Sequence, residues 1–290
     1  IEKISKLKLN KDFYIGYSPE RISPGEKKFT LKKIKKVISA SNKKSLSIIK
    51  KIYSSVITAG VYEAKNIKTA EASKIVENVQ RDLNIALINE LSFLFAKMKI
   101  DTLDVLKASN TKWNFLNFKP GLVGGHCISV DPYYLKYRAE MSGYSPQVIS
   151  SGRNINEKMS TYVISKIFRY FKKKNIKIAV FGASYKENCS DTRNSQVIKI
   201  LIKLLKKKIN FSFVDPHIEK DDLPKKLRKY HKKKLTEKYD VIILAVPHKK
   251  FLIMNSKYFE KLLKKNSLIF DVKNVFKFLN LRKDIKLITL

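Results

Sequence analysis

Apolar residues along the chain follow two periods. Over 69–98, TAEASKIVENVQRDLNIALINELSFLFAKM, the residues Val76, Leu83, Ile85, Leu87, Ile88, Leu91 and Leu94 recur at helical spacing and cover nearly the whole circumference. That predicts a long helix buried on several sides. Thr69 is placed to cap it, with Glu71 in the first turn. A second helix is expected over 45–55, with Leu46, Ile48, Ile49 and Ile52 on one face, and others over 103–108 and 145–171. Asp131-Pro132 reads as a further helix start. Short apolar runs bounded by turn residues predict strands at 12–16, 34–39 and 61–64, the last β-α-β portion of a parallel sheet. The C-terminal part repeats the alternation, with strands at 176–181, 211–214, 241–246 and 267–270 and a helix over 195–206. Strands that alternate with helices predict a parallel sheet covered on both faces, so the class is α/β. Residues 1–12 read as the end of a charged helix or a linker, Pro24-Gly25 as a turn and 172–175 as a linker.

Composition narrows this picture. The 290 residues leave room for two or three domains, and 44% hydrophobic content with 16 Phe and 14 Tyr marks a globular chain. No apolar run reaches membrane-spanning length and no signal peptide is visible, so no membrane association is expected. Two cysteines make no disulfide framework, which points to the reducing cytoplasm. The first residue is Ile rather than Met, as in a fragment. The net charge of +36 invites a nucleic-acid reading, but the excess is mostly scattered Lys, and no nucleic-acid motif or aromatic platform accompanies it. The Lys excess reads as solvated surface, whose field would also attract a nucleotide-sugar.

Candidate chemistry concentrates in 115–135, FLNFKPGLVGGHCISVDPYYL. Cys127 stands behind Gly124-Gly125, with His126 beside it and Asp131 four residues on. Glycines let a ligand lie against the main chain, and a thiol there can act as a nucleophile; a buried cysteine in a Gly-rich turn is the alternative. Glu20, in SPER just past a strand, is either a solvated loop acid or a carboxylate at a ligand edge. Lys74 and Asn78 share one helix face, as incidental surface residues or as an ammonium and an amide aimed at one oxygen. Arg153, Asn154 and Asn156 lie near the first turns of the helix at 145–171. Lys186, Arg193 and Lys273 follow strand ends near helix N-termini, a phosphate-binding pattern unless they are unrelated loop cations. No G-x-G-x-x-G follows a strand, since Gly121, Gly124 and Gly125 have the wrong spacing, and no metal site is expected.

Five blocks taken together, SPER at 18–21, EASKIVEN at 71–78, FLNFKPGLVGGHCISVDPYY at 115–134, GASYKENCSDTRNS at 182–195 and DVKN at 271–274, resemble the UDP-glucose/GDP-mannose dehydrogenase family. The GGHCISVDPYYL wording is similar to the branch that oxidises UDP-N-acetylhexosamines for capsule or O-antigen polysaccharides; the UDP-glucose branch usually has Ser where this chain has His126. The resemblance implies three parts: 1–67 as the C-terminal part of an NAD-binding Rossmann domain, 68–173 as a central helical dimerisation domain with the catalytic Cys, and 174–290 as a Rossmann-like UDP-binding domain. It implies NAD as cofactor, a UDP-sugar as substrate and a homodimer, and it puts the strand with the dinucleotide fingerprint upstream of Ile1. By the same resemblance Cys127 is the nucleophile that forms a thiohemiacetal and then a thioester at sugar C6. Asp131 with an ordered water is the base, Lys74 and Asn78 stabilise oxyanions, and Glu20 assists thioester hydrolysis. Phe115, Leu116 and Asn117, with Gly124 and Gly125, match the loop that holds the nucleotide-sugar. Lys186 matches a residue near the substrate, Arg193 one near the cofactor phosphates, and Lys273 stands where an Arg often occurs near the UDP phosphates. Cys189 matches no motif and reads as structural. A truncated remnant that binds UDP-sugar and dimerises without turnover is the alternative.

Overall fold

The computed structural model describes residues 1–22, 29–171 and 175–290. The turn expected at Pro24-Gly25 and residues 172–174 of the expected linker lie outside the described residues. The chain forms two compact units, residues 1–79 and 80–290.

In the first unit a short helix α1 (Glu2–Ser5) leads to β1 (Gly16–Tyr17), β2 (Lys36–Ala40), α2 (Lys43–Val56) and β3 (Val61–Glu63). The sheet order is β1-β2-β3; β2 and β3 are parallel, as expected, and β1 is antiparallel to β2. The strand expected at 12–16 is a correction: Phe13 makes just an isolated bridge to Leu9, and the strand starts only at Gly16. The chain turns before it, because Asp12 Oδ2 accepts the Lys8 N–H at 2.8 Å and Asn10 takes φ +64°. The helix α3 (Ile67–Met98) starts two residues before Thr69, and the cap is Asn66, whose Oδ1 accepts the Thr69 N–H at 2.9 Å. The first unit ends within this helix.

The second unit holds the rest of α3, then α4 (Thr102–Ser109), α5 (Asp131–Met141) and α6 (Gln147–Tyr170). There follow β4 (Lys177–Phe181), α7 (Gln196–Lys206), β5 (Asn210–Val214), β6 (Tyr239–Leu244), the short helices α8 (Lys249–Leu252) and α9 (Ser256–Leu262), β7 (Leu263–Asp271) and β8 (Ile285–Thr289). The strands form one parallel sheet in the order β5-β4-β6-β7-β8. The edge strand β8 was not anticipated from the sequence. Because successive side chains alternate faces, Ile178, Val180, Val241 and Ile243 pack on one side with Met159, Val163 and Ile167 of α6 and Ile200, Leu201 and Leu204 of α7. Ala179, Phe181, Ile242 and Leu244 pack on the other with Phe251 of α8 and Phe259 and Leu262 of α9.

The expectation that α3 is buried on several sides is only partly met. Leu87 is 54% and Leu94 48% exposed in the single chain, and Met98 continues the same face. Among the described residues no helix is long and apolar enough to cross a membrane.

Candidate functional site

The register of the second unit's sheet sets where its chemistry lies. Val214, Phe181, Leu244 and Asp271 are paired across β5, β4, β6 and β7, so the segments that follow all leave from one edge. Such an edge is where parallel α/β sheets hold ligands. It carries Asp215, the 182–195 segment, His248 and Lys273.

The 115–131 stretch is irregular until α5 begins at Asp131. Its start is fixed by Asn89 on α3, which donates to Gly121 O at 3.0 Å and accepts from Gly121 N at 2.8 Å. Its end is fixed by Cys127 O, which accepts the N–H groups of Val130 at 3.1 Å and Asp131 at 2.9 Å, and by a hydrogen bond from Ser129 Oγ to Gly125 O. Between these anchors the two glycines press on the 182–195 segment. A Cβ on Gly124 would lie 2.9 Å from Asn194 O, and one on Gly125, whose φ is +90°, would lie 2.8 Å from the Tyr185 ring. Close approach is therefore what both glycines provide. Asn194 Nδ2 donates to Gly125 O at 3.3 Å across the same contact.

Cys127 is exposed at this junction. His126 Nε2 lies 3.2 Å from Asp191 Oδ2, and Arg193, itself exposed, pairs with Asp191 at 2.8 Å. The Arg193 hydrogen bond holds the Asp191 carboxyl below its usual range. Burial, followed by the neighbouring Cys189, Asp191 and Cys127, pushes the Tyr185 phenol up. A small cleft beside these groups is lined by Leu122, Gly124, Tyr185, Glu187, Gln196 and Lys273. Lys273 Nζ is 4.0 Å from Glu187, and a Cβ on Gly121 would lie 3.6 Å from it. Gly124, Gly125, Cys127 and Lys273 are thus gathered with the segment that bears Lys186 and Arg193. Asp131 is half-buried at the first position of α5, Phe115 is half-buried, and Leu116 and Asn117 are exposed upstream in the same stretch.

Glu20, Lys74 and Asn78 belong to the first unit. There the SPER loop is tied to α3 by Arg21, which pairs with Glu77 at 2.7 Å, and by Lys36, whose ammonium donates to Pro19 O at 2.8 Å. Burial lowers the Lys36 pKa, although Glu20 nearby works the other way. Glu20 is exposed, Lys74 half-buried and Asn78 buried.

Below the Cys127 loop runs a buried polar chain that sequence reasoning passed over in part. Asn89 donates to Asn156 at 2.8 Å, Asn156 to Asp82 at 2.7 Å, and Arg153 bonds Asp82 at 2.6 Å and Glu157 at 2.7 Å. The Arg153 guanidinium lies 5.4 Å from the Tyr133 ring centroid, two residues beyond Asp131. Burial outweighs Arg153 and raises the Asp82 pKa. Arg153 and Asn156 stood out in the sequence by position alone. Asn89 and Asp82 gave one available signal, polar side chains on an otherwise apolar helix.

The described residues offer no cradle for a dinucleotide. The β2–α2 turn, Ser41-Asn42, has no glycine, and the start of α2 is closed by its own capping box between Asn42 and Ser45. Gly182, at the end of β4, has φ +87° and faces Val246, where a Cβ would come within 2.5 Å, so packing explains it. Ser195 caps α7 and satisfies Val197 N and Ile198 N. Among the described residues no group of three or more His, Cys, Asp or Glu could hold a metal ion.

Two models of one family match the chain: the central domain of the UDP-glucose/GDP-mannose dehydrogenase family over residues 68–158, and its UDP binding domain over 179–278. Protein CapL of Staphylococcus aureus is 47% identical over 282 residues, which are 95% of this chain and 66% of that protein. The UDP-N-acetyl-D-glucosamine 6-dehydrogenase of Pseudomonas aeruginosa is 44% identical over 285 residues, 94% of this chain and 66% of that protein. The chain thus spans just under two thirds of these relatives' length. Among solved structures, the UDP-D-ManNAc dehydrogenase of Pyrococcus horikoshii superposes with a TM-score of 0.82 at 26% identity, covering 99% of this chain and 67% of that one.

Proposed function

The chain belongs to the UDP-glucose/GDP-mannose dehydrogenase family, and from that premise we propose that it carries the substrate-holding and covalent-capture parts of a UDP-sugar 6-dehydrogenase. The substrate is a UDP-N-acetylhexosamine, used for capsule or O-antigen polysaccharide in the cytoplasm. The observation that supports this best is an exposed thiol, Cys127, on a loop whose two glycines sit against a segment bearing Lys186 and Arg193.

Four steps fall to this chain's own residues. Lys186 and Lys273 hold the diphosphate and sugar, with Phe115, Leu116 and Asn117 supplying the rim. The Cys127 sulfur adds to the C6 aldehyde; a C–S bond forms, the carbonyl π pair moves to oxygen, and the thiol proton ends on that oxygen to give a thiohemiacetal. Lys74 and Asn78 stabilise the charge on oxygen, a role whose loss typically costs about 3 kcal/mol of barrier. Asp131, through an ordered water, takes the C6 hydroxyl proton; at the thioester stage water adds to the carbonyl, the C–S bond breaks, and the carboxylate leaves, with Glu20 orienting that water and taking its proton. Covalent capture also keeps the aldehyde from escaping. The two hydride removals need NAD as acceptor, which the described residues do not cradle. The functional form is a homodimer through the central helices, supported by the exposed apolar face at Leu87, Leu94 and Met98.

The test is protection of Cys127 from iodoacetamide by a UDP-N-acetylhexosamine, read by peptide mass spectrometry. Slowing of at least tenfold at saturating ligand is expected, and unchanged alkylation would sink the reading. A second reading, the alternative left open by the sequence, is a dimer that binds UDP-sugar without turnover. Calorimetric titration of NAD+ separates the two, because tight NAD+ binding by this chain excludes the second.

A further inference from the structure

Asp215, Ser184 and His248 meet at the sheet edge, each fully or nearly fully buried. His248 Nε2 is 2.9 Å from Asp215 Oδ2 and 3.4 Å from Ser184 Oγ. The trio has the composition of a hydrolase triad but not its wiring, because both partners face the same ring nitrogen. Ser184 Oγ also donates to Lys186 O at 2.8 Å. The other nitrogen, Nδ1, accepts the backbone N–H of Asn188 at 2.9 Å. A backbone N–H can only donate, so Nδ1 carries no proton and the Nε2–H points to Asp215. Asp215 accepts in addition from Ala183 N at 2.7 Å and Ser184 N at 3.1 Å, and Asn188 Oδ1 accepts from Lys249 N at 3.0 Å.

We propose that His248 is a positioning residue: its Nδ1, by holding the Asn188 N–H, latches the 183–195 segment in the register that sets Lys186 and seats the Cys127 loop. Asn188 has φ +53°, a left-handed turn conformation at the latched residue. Beyond it, Tyr185 and Asn194 are what Gly125 and Gly124 rest on. An acceptor two strands away in sequence thereby adds to the hydrogen bonds from Tyr185 N to Asp191 O and from Ser184 Oγ to Lys186 O that order the segment's centre. The inference rests on the UDP-sugar reading above only for its ligand readout.

The test compares His248→Asn, whose oxygen can replace Nδ1 but cannot reach Asp215, with His248→Gln, whose amide can reach Asp215 but places no acceptor at Nδ1. UDP affinity is measured by calorimetry and Cys127 alkylation by peptide mass spectrometry, with thermal melting followed by circular dichroism. His248→Asn should keep UDP affinity within about threefold, and His248→Gln should lose roughly tenfold, the scale of one hydrogen bond. The reverse order, equal losses or no change in either overturns the proposal. Should either variant fail to fold, hydrogen exchange of the Asn188 amide in the unaltered chain decides: slow exchange supports the latch, and exchange at the rate of an open loop overturns it. If unaltered protein fails to bind UDP, the functional reading falls, while Asn188 exchange still judges the latch.

Discussion

Replacing Gly125 by Ala puts a number on the contact that the proposed site depends on. Two costs are separable. The first is backbone: φ is +90°, where an L side chain pays about 1–2 kcal/mol. The second is steric: the new Cβ would lie 2.8 and 2.9 Å from two Tyr185 ring carbons, so the ring must shift. Overpacking of that kind costs about 1–3 kcal/mol. Their sum is roughly 2–5 kcal/mol of the second unit's stability. A double-mutant cycle with Tyr185→Ala isolates the steric part, because without the ring only the backbone cost remains. The expected outcome in urea denaturation followed by circular dichroism is that Gly125→Ala destabilises less in the Tyr185→Ala background, by about 1–3 kcal/mol. Faster or slower alkylation of Cys127 in Gly125→Ala would show the loop moving with the ring. A fully additive cycle would refute the claim that Tyr185 is what demands glycine at this position.

Three further outcomes follow from the same structure. Arg153→Met should destabilise by about 3–5 kcal/mol in urea titration, since it leaves the buried Asp82 carboxylate without its guanidinium; a loss under 1 kcal/mol would mean that Asp82 is already protonated. Ser195→Ala should cost about 0.5–2 kcal/mol, because it removes the cap of α7 together with the hydrogen bond to Ala183 O at 2.8 Å; an unchanged denaturation midpoint would refute that. Burial raises the Glu157 pKa but Lys199 and Arg153 outweigh it, so the folded value lies below the usual 4.5. The stability this brings is fully present above the unfolded value of 4.5 and is lost as pH falls from there through the lower folded value, because the unfolded chain binds the proton first. Stability measured from pH 7 down to about pH 4 should therefore drop less in Glu157→Gln than in unaltered protein, and an equal drop would count against the ion pair.

How much was legible beforehand depended on what each feature asks of neighbouring residues. The elements of the second sheet other than β8 were readable because each strand is a largely apolar run closed by Gly182, Asp215-Pro216, Pro247-His248 or Asp271, and the end residues align in register. The strand at 12–16 was misread because the chain turns at 10–12, Phe13 makes only an isolated bridge to Leu9, and Tyr14 and Ile15 stay outside the ladder, which apolar content does not reveal. Thr69 lost the cap to Asn66, three residues upstream, because both side chains can cap a helix and apolar spacing does not choose between them. The edge strand β8, with Lys286 exposed, carries no continuous apolar signal. The Cys127 block was legible because its glycines, thiol and carboxylate are adjacent in sequence. The Asp82–Arg153 pair and the His248–Asn188 contact join residues 71 and 60 positions apart, and no local pattern announces such partners.

The distant contacts explain why the loop can present a thiol at all. An irregular stretch of this length has few backbone hydrogen bonds of its own, and ordering it costs entropy at every residue. Asn89 clamps its start through Gly121, the helix α5 clamps its end through Cys127 O, and the two glycines are stacked on a segment that Asp215 and His248 hold from the far side. The supports from Asn89, Asp215 and His248 are buried, directional hydrogen bonds, so each of these tolerates little displacement. Cys127 is left exposed while its backbone is fixed on both sides. A nucleophile that must meet a carbonyl carbon at bonding distance gains from that combination, because orientation is settled before the substrate arrives.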